Sequence, residues 1–509
     1  MNTLRLILGD QLNKKHSWYK CVDKEVTFAM FEVQEELTYT KHHIQKVVGF
    51  FAAMRAFAAC LEAEGHRVVY YRIGDLKNKQ SITMNLQQLI DTESFDRFEY
   101  QEPDEWRVEQ YLQEWSADLN MEVKAVGTEH FLTTRSELSH FFEGKKQFLM
   151  ENFYRYMRKK HSILMTGKQP EGGKWNYDKN NRKKWKQQTL IPIQFEAVTD
   201  VSALLEELEQ SGALFFGKVD PNRFTYPVNR SDAMAQLHYF IDHLLVFFGD
   251  YQDAMHDQEL VLYHSKISFA LNIKLIDPLE VLQEVERAYR ENDAVSIEQA
   301  EGFIRQILGW REYMRGMYWL QMPAMESSNY FEHRNSLPTA YWTGKTRMNC
   351  LKHCVNNSLD TAYAHHIQRL MVLGNIALLL QVAPQEVDDW FLGIYIDAVQ
   401  WVQLPNTRGM SQFADGGNIA TKPYISSANY VDKMSNYCQG CSYDKKTKIE
   451  ENSCPLNSLY WDFLITHDKK LRANRRMSMM YRLLDKMDSE QRQKISARAS
   501  YLRAHTAEI

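Results

Sequence analysis

Hydrophobic and polar positions follow two rhythms along this chain. Over the first 130 residues, short apolar runs alternate with helical patterns. Leu4 to Leu8 reads as a buried strand stopped by Gly9-Asp10-Gln11, and Val26 to Val33 as a second. His42 to Glu64 carries Val47, Phe50, Phe51, Met54, Phe57, Ala58 and Leu61 at helical spacing and ends at Gly65. His66 to Ile73, Arg97 to Tyr100 and Met121 to Val126 supply three more strands. Such alternation predicts an α/β domain with a parallel sheet covered on both faces. Ligands of these sheets lie at the carboxyl ends of strands, so Gly9, Asp10, Gln11 and residues 32–36 are candidate pocket residues. A Gly turn followed by a polar loop, with no ligand, would give the same pattern.

From about residue 200 the period becomes helical throughout. Ala233 to Phe248, Pro278 to Glu291, Ile297 to Trp319, Asp360 to Leu380 and Pro384 to Leu404 each read as helix, and Met477 to Arg503 as a last charged one. No repeat or low-complexity tail interrupts them. Three units follow: an α/β domain over 1–135, a basic linker over 136–200 and an all-α domain over 201–509. The linker is unusual. Between Arg155 and Lys186 stand eleven Lys or Arg against two acids, interleaved with Tyr156, Trp175, Tyr177 and Trp185. Basic residues among aromatics can neutralise phosphates and stack on bases, although charge runs are usually solvated surface.

Composition narrows the class. The net charge of −4 means that any nucleic-acid contact comes from a local patch. No run of 18 apolar residues and no secretion signal stands out, so a cytoplasmic protein without a membrane span is expected. Seven cysteines without a secretory context read as metal or redox ligands where they cluster. Cys438 and Cys441 form a CxxC pair, Cys454-Pro455 follows, and Cys350 and Cys354 lie one helical turn apart upstream. Thiolates suit an iron–sulfur cluster or four-cysteine zinc, and spacing alone does not choose between Cys350 and Cys354. Cys21 and Cys60 read as ordinary buried thiols.

The helical half holds polar groups in apolar frames. Glu301 and Arg305 can pair at i,i+4. Gly302 and Gly309, seven apart, would let a flat cofactor approach the helix between Glu301 and Glu312. His366 shares a face with Leu370 and Leu373 and should point inward; adjacent His365 cannot share that face. Asp397, after the apolar Phe391 to Ile396, reads as a cofactor contact or a helix cap.

Together, Gly9-Asp10-Gln11-Leu12, Met150 to Tyr154, Gly172 to Asp178, Glu301 to Glu312, His365 to Arg369, Ala414 to Gly417 and the cysteine set resemble the iron–sulfur bacterial cryptochromes and photolyases, the photolyase-related proteins. The resemblance runs from residue 3 to about 470. It implies a Rossmann-like antenna domain followed by an all-α FAD-binding domain. It also implies a [4Fe–4S] cluster on Cys350, Cys438, Cys441 and Cys454, with Cys354 spare. FAD is expected against His264, Ser265, Ser268, Glu301, Arg305, Trp310, Asp397, Asn406 and Met410. A 6,7-dimethyl-8-ribityllumazine antenna is expected near Gly9, Asp10, Gln11, Glu36 and His43.

The activity implied is light-driven repair of (6-4) photoproducts in UV-damaged DNA by a monomer, through electron transfer from photoexcited reduced FAD to a flipped lesion. His366 is the expected acid, oriented by His365, with Tyr424 and Asp178 on the lesion and a Mg²⁺ ion beside Asp178 as a further candidate. Arg155, Arg158, Arg182 and Lys183 would hold phosphates. Trp390 and Trp342 match the outer and inner positions of a photoreduction chain, and Phe391 stands where Tyr or Trp is wanted. A blue-light photoreceptor of the same fold, a cyclobutane-dimer photolyase and a flavin-free iron–sulfur DNA-processing protein are the alternatives.

Overall fold

The computed structural model describes residues 1–509, the side chain of Asn180 excepted. Five strands, β1 (Thr3–Leu6), β2 (Val26–Phe31), β3 (Arg67–Tyr71), β4 (Arg97–Gln101) and β5 (Glu122–Val126), form one parallel sheet in the order β3-β2-β1-β4-β5. Thr3 pairs with Val26 on one side and Arg97 on the other. The chain order reverses at β1, so the crevice beyond the carboxyl ends of β1 and β4 is the natural ligand position. All six positions of β2 are buried because helices cover both faces, and such strands read as continuous apolar runs.

One face of the sheet packs Leu4, Leu6, Phe31 and Phe98 against Leu86 and Leu112, from helices Ile82–Thr92 and Trp106–Ser116. The other face, with Ile7, Phe28 and Met30, joins helix Ile44–Ala63 and runs without a break into the core of the helical half. Ile44–Ala63 is long and apolar enough to cross a membrane by length and composition. Here Val48, Ala53 and Leu61 have no exposed surface, and the helix lies between the sheet and the helical half.

The helical half departs from the expected helices at their breaks. Ile297 to Trp319 is helix Ile297–Ile304, a π-helical turn Arg305–Arg311 and helix Glu312–Gln321. Asp360 closes helix Asn349–Thr361 rather than opening a new one. Ala362 then turns left-handed at φ 52° and π-helical Gln368–Gly374 follows. Pro384–Ile394 and Gln400–Leu404 are separate helices, and Asp397 stands in the gap. Met477 to Arg503 splits into Ser478–Asp485 and Ser489–Ala504, the second capped by Asp488 on the Gln491 N–H. Within the linker, Met150–His161 is helical, and Met165–Thr166 pairs antiparallel with Gln169–Pro170. Cys21 and Cys60 are exposed, against the expectation of buried thiols.

Gly393 fixes how the halves meet. Its carbonyl accepts the His43 N–H at 2.9 Å, and a Cβ at this position would overlap the Lys41 carbonyl oxygen. Backbone cannot yield as a flexible side chain can. Gly393→Ala is expected to cost about 1–3 kcal/mol, read from urea denaturation.

Candidate functional site

A cleft of about 1040 Å³, open solvent at its mouth included, lies at the sheet's reversal point. Its walls come from the ends of β1 (Gly9, Asp10), β2 (Val33, Glu36) and β4 (Asp104, Glu105), from helix Ile44–Ala63, and from Val399 to Trp401 of the helical half. Gly9, Asp10 and Glu36 line it, as the sequence led one to expect. Gln11 and His43 do not. Gln11 is fully buried, bonding the Leu8 N–H and the Gln101 carbonyl, and His43 caps helix Ile44–Ala63 and bonds Leu359 O. His42, which sequence reasoning passed over, lines the cleft instead. Both its ring nitrogens lack partners at 2% exposure, and burial holds its pKa well below the usual value. Trp401 Nε1 is also unpartnered. A largely apolar wall with a few orphaned polar atoms fits a small heterocycle.

The segment Glu301 to Glu312 serves a different purpose from the one its pattern suggested. Glu301 has no exposure and accepts from Tyr154 Oη (3.0 Å), Tyr177 N (3.0 Å) and Arg305 Nε (3.1 Å). A Cβ on Gly302 would meet Asn181 Nδ2 at 2.7 Å, and one on Gly309 would meet Met150 and Tyr154 at 3.2 Å. The glycines admit the linker, not a flat ligand. Trp310 is half-buried against Tyr313.

Across the helical half, Asp397 binds Arg369 through both oxygens at 2.9 and 3.1 Å and accepts from Ser268 Oγ at 2.7 Å. His264 stacks on His365 with centroids 4.5 Å apart at 11°. His264 Nε2 and His365 Nδ1 are buried without partners. His264, Ser265, Ser268 and Asn406 stay half-buried among buried neighbours, whereas Met410 is buried. Orphaned nitrogens and half-open polar side chains form a donor set suited to a polar heterocycle. His365 is the buried histidine and His366 is exposed, the reverse of the inward orientation read from its face. No hydrogen bond joins these two side chains among the described residues. His366 is nonetheless ringed by protein. Desolvation, then Arg369, lowers its pKa to about 4, and desolvation lowers His264 to about 4.

Asp178, Arg182, Asp253, Tyr424 and Tyr430 share one electrostatic neighbourhood. Asp178 pairs with Arg182 and reaches Arg305 at 3.4 Å. Asp253, a carboxylate that no motif singled out, is raised to about 6 by burial and by Asp178. Lys183 pairs with Asp250 and stays exposed, and Arg155 pairs with Glu151 and is half-buried. Arg158 is fully buried and donates to the carbonyls of Ile163, Leu164 and Trp175, so it braces the linker and reaches no surface phosphate.

The tryptophans stand in the opposite order to the one expected. Trp390 is 1% exposed and Trp342 37% exposed, so Trp342 is the outer one. Trp390 packs against Tyr341, Phe391 and Tyr395 with centroids 5.2–5.9 Å apart, and its indole donates to Tyr341 O at 3.1 Å.

Cys350, Cys438, Cys441 and Cys454 line a second, smaller cavity with Tyr437 and Tyr443. Cys354 lies one turn along helix Asn349–Thr361, and its sulfur contacts Tyr437 Oη. Burial, then the neighbouring sulfurs, pushes Cys350 well up, and burial raises Cys438 to about 11 and Cys454 to about 12. Clustered thiolates need a cationic centre to coexist. No three His, Cys, Asp or Glu among the described residues converge closely enough for a single ion. The four sulfurs line one shared cavity.

This pairing of a parallel α/β sheet with a helical, polar-lined half is the architecture of photolyases and cryptochromes. A crystal structure of a bacterial class III photolyase from Agrobacterium tumefaciens matches with a TM-score of 0.58 at 14% identity, covering 99% of this chain and 97% of that one. The Synechocystis sp. PCC6803 cryptochrome matches at 0.54 and 14%, covering 81% and 82%. The profile described as "Deoxyribodipyrimidine photo-lyase-related protein" matches residues 5–224. A protein of Agrobacterium fabrum (strain C58 / ATCC 33970) named "(6-4) photolyase" is 43% identical over 503 residues, 98% of this chain and 99% of that protein. The chain belongs to the photolyase family, whose members are flavoproteins.

The buried histidines carry a pH signature. His264 and His366, both near 4 in the fold, titrate near 6.5 once unfolded, so the unfolded chain binds protons first as pH drops. Stability is expected to be fully present above about pH 6.5 and to fall towards pH 4, read as a declining urea midpoint across that window.

Proposed function

We propose that this chain repairs (6-4) pyrimidine–pyrimidone photoproducts in UV-damaged DNA, as a cytoplasmic monomer driven by light. The observation that carries the reading is the histidine group, buried His365 stacked on His264 with solvent-facing His366 beside them, on the same segment as Arg369 of the Asp397–Arg369 pair. Full-length similarity to a protein named (6-4) photolyase supports it.

FAD, when bound here in reduced form, would supply light-driven electron donation that is returned at the end, with no net redox change. His264, Ser265, Ser268 and Asn406 would hold it, with Asp397 and Arg369 fixing one wall. Neutral His366, facing solvent, takes up a proton from water as negative charge develops on the lesion beside it and passes that proton to the lesion. A nearby anion raises an imidazole pKa, so protonation and charge build together. His365 acts as packing for His264 rather than as a hydrogen-bonded orienter of His366. Tyr424 and Asp178 approach the lesion, and exposed Arg182 and Lys183 with half-buried Arg155 are the phosphate candidates; Arg158 is not.

The sheet-end cleft would take 6,7-dimethyl-8-ribityllumazine, which gathers light, with His42 and Glu36 at its polar positions. Cys350, Cys438, Cys441 and Cys454 would hold a [4Fe–4S] cluster. Asp178 and Asp253 are two carboxylates suited to a hydrated Mg²⁺, which keeps several waters. Trp342 at the surface and Trp390 within are the candidates for supplying reducing electrons.

Illuminating the protein with oligonucleotides that each carry one defined lesion tests the reading. His366→Ala is expected to retain flavin absorption and photoreduction while losing (6-4) repair at least a hundredfold; full repair would remove His366 as the acid. Cys438→Ser should purify with far less than four irons per chain by metal analysis, and a full complement would contradict the ligand set.

A further inference from the structure

Helix Asn349–Thr361 has Cys350 at its first turn, and its last residue leads straight into the Ala362–His366 turn. At 1.5 Å per residue its length is about 20 Å. The rod alone therefore joins the cysteine cavity to the histidines. A second connection runs beside it. Tyr437, next to Cys438 and lining the cysteine cavity, accepts a hydrogen bond from Gln368 Nε2 at 3.2 Å. Gln368 Oε1 in turn accepts the His365 N–H at 3.2 Å and Asn357 Nδ2 at 3.4 Å. Tyr437 and Gln368 are each 1% exposed, and Tyr437 is stacked on His353 with centroids 5.5 Å apart at 6°. Gln368 thus makes three bonds, spanning the spare-cysteine helix, the cysteine loop and the histidine turn.

We propose that Gln368 and Tyr437 are positioning residues that hold the His365–His366 turn in register with the cysteine cavity, so that the state of the four-cysteine centre sets the placement of His366. The inference rests on the functional reading above. The turn's other anchors are backbone-directed: the Ala362 N–H on Ser358 O, Thr361 Oγ1 on Tyr363 O, Arg369 Nε on Ala364 O, the Arg369 N–H on His365 O and the Ile396 N–H on Ala362 O. A buried amide with all its partners satisfied holds one geometry, and losing one partner leaves the others free to shift.

The test uses the holoprotein with iron and flavin bound. Tyr437→Phe keeps the ring on His353 and removes only the hydroxyl; Gln368→Met removes every bond of the amide. Both are expected to keep iron content and flavin absorption. Both should move the imidazole ¹⁵N resonances of His365 and His366 and lower the (6-4) repair rate about tenfold, with lesion affinity unchanged. Removing iron from the wild-type protein should move the same resonances in the same direction. If those resonances stay fixed in Tyr437→Phe and on iron removal, the tie does not exist. Should Gln368→Met fail to fold, Tyr437→Phe decides alone. The resonances report the tie whether or not the chain repairs a lesion, so failure of the tie and failure of the proposed function are separable.

Discussion

The ion pair between Arg369 and Asp397 is the constraint on which the helical half depends. Asp397 sits in the gap between helices Pro384–Ile394 and Gln400–Leu404, where the backbone has left helical geometry. Its carboxylate takes both Arg369 amines and the Ser268 hydroxyl, and its backbone carbonyl takes Asn272 Nδ2 at 2.7 Å. Arg369 also lies over Tyr395 at 3.8 Å. Three stretches distant in sequence are pinned by one charge pair. Such a pair repays its desolvation only when every donor and acceptor is used, and removing one partner strands the other at a cost of about 3–5 kcal/mol. The site is built where a misplaced segment is least tolerated.

A second buried cation ties this half to the sheet. Lys274 has a fully buried side chain and reaches Asp104 at 2.8 Å and Asp10 at 3.1 Å. Both carboxylates line the sheet-end cleft, so the cleft's floor and the helical half share one electrostatic joint. Whatever occupies that cleft is thereby fixed relative to the Asp397–Arg369 pair without any flexible connection. Gly393 serves the same end by letting the backbones touch.

Much of this was legible before any coordinates. Central strands buried on both faces write themselves as apolar runs, as β1 and β2 do, whereas the edge strands β3 and β5 are marked by shorter apolar stretches; the limits of all five lie within two residues of those segments. Helix breaks were not legible. The gaps at Ala362–His365 and Tyr395–Val399 are as buried as the helices around them, so hydrophobic periodicity carries no mark of either. Asp397 was visible as a polar residue after an apolar run, but its partner Arg369 is 28 residues away and no local rule joins them. Gly302 and Gly309 show the same limit from the other side. A helical glycine reports that something comes close, and only the fold says that here it is Asn181, Met150 and Tyr154. His42 and His43 differ by one position, and it is the start of the helix at Ile44 that gives one to the cap and the other to the cleft.

The cysteines carry the argument about spacing furthest. Cys438, Cys441 and Cys454 lie close in sequence and could have met whatever the fold, but a fourth cysteine from a helix almost ninety residues upstream has to be delivered to their cavity by tertiary structure. Cys350 and Cys354 occupy adjacent turns of that helix, and a rotation of one turn decides which sulfur enters the cavity. In the fold Tyr437 lines the cavity and its hydroxyl meets Cys354, while Cys350 lines the cavity with the other three sulfurs. The same hydroxyl accepts from Gln368. The tyrosine that contacts Cys354 is therefore also the one through which the cysteine cavity is hydrogen-bonded, by way of Gln368, to the histidine turn.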